Sequence, residues 1–187
     1  MDTKYFKKIR IFDGGMGQEL LSKGLISKGT LWSASALIEK EFHKLVIDAH
    51  MSYINAGADI IVTNNFSARK IRFIQNKVLD KFQYANEQAG ILANKAREIS
   101  KQNILIAGSL PSQSDTYVED ERSSSEIQSD FEEQAKIISP YVDFFYLDVV
   151  SSGREIEIAS NIVEKLGKKV VVGLSLIHIS EPTRHRL

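Results

Sequence analysis

The 187 residues include no cysteine, which excludes disulfides and any thiolate metal site within this chain. Only three prolines and one tryptophan occur, and the hydrophobic content of 43% is that of a folded globular protein rather than a disordered one. No apolar run approaches the ~20 residues needed to cross a bilayer. The N-terminus from Met1 to Lys8 carries charge with no apolar signal core behind it, so a cytoplasmic location is expected. Neither sign of charge is in excess, with 24 basic and 24 acidic residues. That balance argues against nucleic acid or an anionic membrane as partner.

What is present is organised around residues 9–18. Ile9, Ile11 and Phe12 read as a buried strand, which stops on Asp13 and then on three glycines, Gly14, Gly15 and Gly17. Glycine serves where a backbone turns tightly or lets a ligand approach, because it has no Cβ. A carboxylate at the carboxyl end of a strand, followed by such a turn, is a place to hold a small polar molecule; a structural turn with an Asp cap is the other reading. The pattern is neither a dinucleotide fingerprint nor a P-loop.

Five short β-like runs recur, at 9–12, 59–63, 104–108, 143–148 and 169–173. They are nearly continuous in apolar residues, as expected for parallel strands covered on both faces. Between them the period becomes helical. Phe42, Leu45, Val46, Ala49 and Tyr53 share a face that Gly57 can close. Phe82, Ala85, Ala89, Leu92, Ala96 and Ile99 form a second stripe. Ser123 to Glu126 has capping-box spacing before Ile127, Phe131, Ala135 and Ile138, and Ser152 to Glu155 repeats it before a stripe ending at Gly167. Such stripes face a core.

Strand–helix alternation means βαβ units and a parallel sheet. A doubly wound sheet and a (β/α)8 barrel both fit. The strands run out into Asp13, Thr63-Asn64-Asn65, Ser109 and Asp148, and polar groups gathered at several strand ends favour the barrel, whose active site lies on that face. Residues 110–122 form a long connection containing Pro111 and Tyr117, either a binding loop or a solvated excursion. After Gly173 the character shifts: 175–187 holds neither a helical stripe nor a cap, includes His178 and His185, and resembles translated sequencing-adapter read-through. Residues 1–174 are therefore expected to form the first part of a barrel truncated after about five βα units.

Taken together, these blocks resemble the homocysteine S-methyltransferase family, which includes betaine- and S-methylmethionine-dependent enzymes. Asp13-Gly14-Gly15-Met16-Gly17-Gln18-Glu19-Leu20 looks like its first-strand signature. Leu31-Trp32-Ser33-Ala34 and the series from His50 through Tyr53, Ala56-Gly57-Ala58-Asp59 and Thr63-Asn64 is similar to its next block. Ala107-Gly108-Ser109-Leu110-Pro111 and Val142-Asp143 through Asp148 resemble the third and fourth. The resemblance implies a (β/α)8 barrel that moves a methyl group from a small donor to the sulfur of homocysteine, giving methionine. It implies Zn²⁺ as cofactor, because a thiol with a pKa of ~8.5 is a poor nucleophile until metal binding removes its proton. It also implies that Asp13 and Asp148 take the substrate ammonium, that Gly14 and Gly15 offer N–H groups to its carboxylate, and that Thr63, Asn64 and Ser109 complete the substrate site.

The departures are specific. Relatives place Glu-Thr where this chain has Asp148-Val149, and an aromatic or Gln where it has Ser67. The family's zinc ligands are three later cysteines, one alone and two in a Gly-Gly-Cys-Cys motif, and this chain has none. His43 and His50 lie on an expected helix and are read as surface or packing residues, as is Trp32, so no zinc ligand is assigned. The expectation is a fragment that neither binds zinc tightly nor transfers methyl. The other readings are a different parallel α/β barrel enzyme acting on a small amino or carboxylic acid, and a metal-free amino-acid-binding homologue. A Schiff-base lysine at a strand end would favour the former, and none stands there.

Overall fold

Four parallel strands stand side by side in chain order in the computed structural model, which describes residues 3–116, 120–150 and 152–174. They are β1 (Ile60–Val62), β2 (Leu105–Pro111), β3 (Phe144–Val150) and β4 (Val170–Leu174). Consecutive order along the whole sheet is that of a barrel wall; a doubly wound sheet reverses its order at a switch point. The stretch 175–187 and Tyr117 lie outside the described residues.

The expected first strand is the main correction. Residues 9–12 contribute only an isolated parallel bridge, Phe12 to Ile60. The Ile11 N–H is taken by the Asp59 carboxylate at 2.9 Å, which leaves the Ile11 carbonyl and the Asp13 N–H to reach β1. Ile9 and Ile11, read as buried, are 93% and 56% exposed.

Both faces of the sheet are apolar, as the continuous runs anticipate. Ile61, Ile106, Leu110, Phe145 and Leu147 join a core shared with the helices, while Ile60, Ala107 and Phe144 face the other way. On that inner face Phe6 meets Phe144 edge-on at 5.9 Å and Phe12 tilts against Tyr146 at 5.4 Å. At the amino end two aspartates lace adjacent strands. Asp59 accepts the Ile11 N–H, and Asp143 accepts the Ile106 N–H at 2.7 Å while pairing with Arg97 at 2.9 Å.

The helices follow their stripes and add three short ones that the periodicity does not show. In chain order they are α1 (Met16–Ser22), α2 (Ser35–Ile38), α3 (His43–Asn55), α4 (Lys70–Gln75), α5 (Phe82–Ser100), α6 (Ser124–Ile138) and α7 (Gly153–Lys165). Gly57, at φ 101°, closes α3 as expected of a residue with no Cβ in the left-handed region. The capping box forms on α6, where the Ser123 hydroxyl and Glu126 carboxylate exchange bonds with each other's backbone. It does not form on α7: Glu155 turns inward, fully buried, and accepts the Ser112 hydroxyl at 3.2 Å instead. None of the described helices is long and apolar enough to cross a membrane.

Candidate active site

The carboxyl ends of the strands open into a cleft of about 730 Å³. Asp13, Gly14, Gly15, Thr63, Asn64 and Asp148 all line it, so six of the seven sequence-derived site residues converge. The seventh, Ser109, stands behind the wall at the end of β2, and its hydroxyl donates to Asp148 Oδ2 at 3.2 Å. Thr63 and Asn64 are nearly buried and committed to protein partners. The Thr63 hydroxyl donates to Asn65 Oδ1 at 2.6 Å, and Asn64 Nδ2 donates to the Ser33 carbonyl at 3.2 Å.

The two carboxylates set the electrostatics. Burial pushes the Asp13 carboxyl up to about 7, against a hydrogen bond from the Val62 N–H at 2.9 Å, and Asp148 raises it further. Burial likewise lifts Asp148 to about 6, with the Ser109 hydroxyl opposing. Tyr146 is raised too, by burial first and then by both aspartates. Among the described residues, no lysine, arginine or histidine lines the cleft. Two carboxyls held short of full ionisation, with no cation supplied by the described wall, are chemically suited to a cationic group.

Aromatic side chains make much of the remaining wall: Phe12, Trp32, Phe66 and Tyr146. Trp32 packs as the sequence reading expects, and it lines the cleft as well. Its ring presses on α1 so closely that a Cβ on Gly17 would lie 2.5 Å from it, while the indole also faces the cleft. Periodicity could not reveal this, since Trp32 sits at φ 46° in an irregular turn. Val149, directly after Asp148, is also left-handed at φ 59°. That conformation is costly for a β-branched residue. The other two positive-φ residues outside glycine, Lys77 and Lys101, lie just after α4 and α5, where helices commonly end this way. The two without that explanation both line the cleft.

The donor set does not fit zinc. The sequence has no thiol, and among the described residues no three His, Cys, Asp or Glu side chains converge as a metal site. His50 is fully buried in α3 with neither ring nitrogen hydrogen-bonded, and burial pushes its pKa down to about 3. His43 Nε2 lies 3.0 Å from the Leu37 carbonyl. Both are packing residues, as the helical spacing suggests.

The family profile described as homocysteine S-methyltransferase matches residues 10–185. Homocysteine S-methyltransferase of Escherichia coli K12 is 33% identical over 113 residues, which are 54% of this chain and 34% of that protein. Homocysteine S-methyltransferase 2 of Zea mays is 34% identical over 90 residues, covering 48% of this chain and 24% of the relative. The metallated form of the E. coli homocysteine methyltransferase MmuM superimposes with a TM-score of 0.76 at 21% identity, over 92% of this chain and 64% of that one. The chain thus spans less than two thirds of its relatives, and its sheet is part of a (β/α)8 barrel. It belongs to the homocysteine S-methyltransferase family.

Proposed function

We propose that this chain carries the amino-acid clamp of a homocysteine S-methyltransferase, and that the whole protein moves a methyl group onto the homocysteine thiol to give methionine. The observation that carries the reading is the pair Asp13 and Asp148, both raised in pKa, facing one cleft without a cationic neighbour among the described residues. The substrate ammonium is the missing cation. When it binds, Asp13 gives up its proton and both carboxylates become ion-pair acceptors. The Gly14-Gly15 turn presents backbone N–H groups to the substrate carboxylate, and the clamp fixes the direction in which the thiol points. Asp148, one methylene shorter than Glu, reaches the ammonium from a strand end strained at Val149.

Aromatic walls and two carboxylates also suit a small methyl donor carrying a fixed positive charge, which cation–π attraction favours, over an anionic one. The described residues supply no ligand set for zinc, and no step of transfer is assigned to this chain: it binds the amino acid and does not transfer methyl.

Calorimetry tests the clamp. Homocysteine and methionine should bind at pH 8, while N-acetylmethionine should not, and Asp13→Asn should weaken methionine at least tenfold, in line with loss of a charge-assisted contact worth ~1.5–3 kcal/mol. Equal binding of the N-acetyl compound would sink the reading and favour a different barrel enzyme.

A further inference from the structure

The backbone ladder between β1 and β2 is replaced by side chains at its last rung. Thr63 N–H donates to the Ala107 carbonyl at 2.9 Å, and the next rung would join Ser109 N–H to the Thr63 carbonyl. Instead Ser109 N–H donates to the Thr63 hydroxyl at 3.0 Å, and the Thr63 carbonyl accepts Asn65 N–H at 2.8 Å. That hydroxyl donates to Asn65 Oδ1 at 2.6 Å, and Asn65 Nδ2 returns to the Ser109 carbonyl at 3.0 Å. The Asn65 amide therefore closes a ring across the ends of both strands, gripping Ser109 through its N–H and its carbonyl.

A second layer holds Asn65. Asn86 Oδ1, from α5, accepts Asn65 Nδ2 at 3.3 Å and Gln134 Nε2 at 3.1 Å. Gln134, from α6, also donates to the Asn65 carbonyl at 3.3 Å, and Gln113 Nε2 donates to Gln134 Oε1 at 2.9 Å. Asn65, Asn86 and Gln134 are fully buried and Gln113 is 1% exposed. Buried amides stabilise less than well-packed apolar groups would, so a network of four is better explained by geometry it fixes than by energy it adds.

We propose that Asn65 is a positioning residue of the cleft: through Thr63 it sets Ser109 so that the Ser109 hydroxyl meets Asp148, with Asn86 and Gln134 fixing the Asn65 amide. The role rests on the reading of Asp148 as half of the clamp, but its test does not. Amides do not titrate, so the grip is the same at every pH at which the clamp works. Among the described residues, the titratable groups facing Asp148 are Asp13 and Tyr146, and no cationic side chain lines the cleft.

The test is a carboxyl-carbon NMR titration of the 187-residue chain. Ser109→Ala removes the donor to Asp148 directly and should raise its midpoint from about 6 by roughly one pH unit. Asn65→Ala should raise it comparably, and the double variant no further than Ser109→Ala alone, because both act through one hydroxyl. A folded Asn65→Ala chain with Asp148 at its original midpoint overturns the proposal, and so does a shift that adds to that of Ser109→Ala. Should Asn65→Ala fail to fold, amide exchange in the unaltered chain decides. Ser109 N–H should exchange as slowly as the β2 ladder amides, and exchange at loop rates refutes the ring. Failure of homocysteine to bind would strike the clamp and leave the Asp148 shifts standing.

Discussion

Asp13 shows how one residue carries stability and function with opposite signs. Its folded pKa of about 7 lies above the ordinary 3.8, so the folded chain holds a proton that the unfolded chain releases. The stability this contributes is fully present below pH ~4 and is lost as pH rises through ~7. Asp13→Asn should therefore be more stable than the parent chain at pH 8, by on the order of 1–2 kcal/mol once water in the open cleft is allowed for, and nearly equal to it at pH 4. Urea denaturation at the two pH values checks this, and a variant less stable at pH 8 would contradict it. On the proposed clamp, release of the same proton should make amino-acid binding tighter as pH rises from 6 to 8.

The elements show what a sequence can and cannot announce. The strands after the first and the long helices are legible because burial on both sheet faces and on one helix face leaves a periodic trace. Residues 9–12 carry the same apolar signal, yet the Asp59 carboxylate takes the Ile11 N–H and only a bridge forms. Asp13, Thr63, Asn64 and Asp148 were legible as polar strand ends. Trp32 and Phe66 were not, since their place in the cleft wall depends on where irregular turns fold back. The two Ser-x-x-Glu boxes look alike in sequence and separate in structure. Ser123→Ala should cost about 1 kcal/mol, the usual worth of an N-cap. Ser152→Ala should cost less than about half of that, because its hydroxyl makes no cap bond. Paired thermal melts decide, and equal losses would mean that the α7 box forms after all.

At the scale of the molecule, the sheet formed by the described residues is held on its inside and open at its sides. Among the described residues, β4 pairs with β3 alone, and beyond β1 the sheet continues only through the Phe12 bridge. Apolar side chains mark both margins: Ile9 and Ile11 on one, Val172 at 38% and Leu174 at 53% exposure on the other. A parallel sheet normally hides such margins, because exposed N–H and C=O rows pair with whatever strand they meet. The balanced charge of the chain adds no net repulsion to oppose contact. The chain should therefore self-associate at tens of micromolar, the range where open strands find partners. Placing charge on the margins, as Ile9→Lys with Leu174→Lys, should shift sedimentation toward monomer while leaving the melting transition within a few degrees, since neither side chain is buried. A parent chain that sediments as a monomer throughout that range would show that its margins are covered from within.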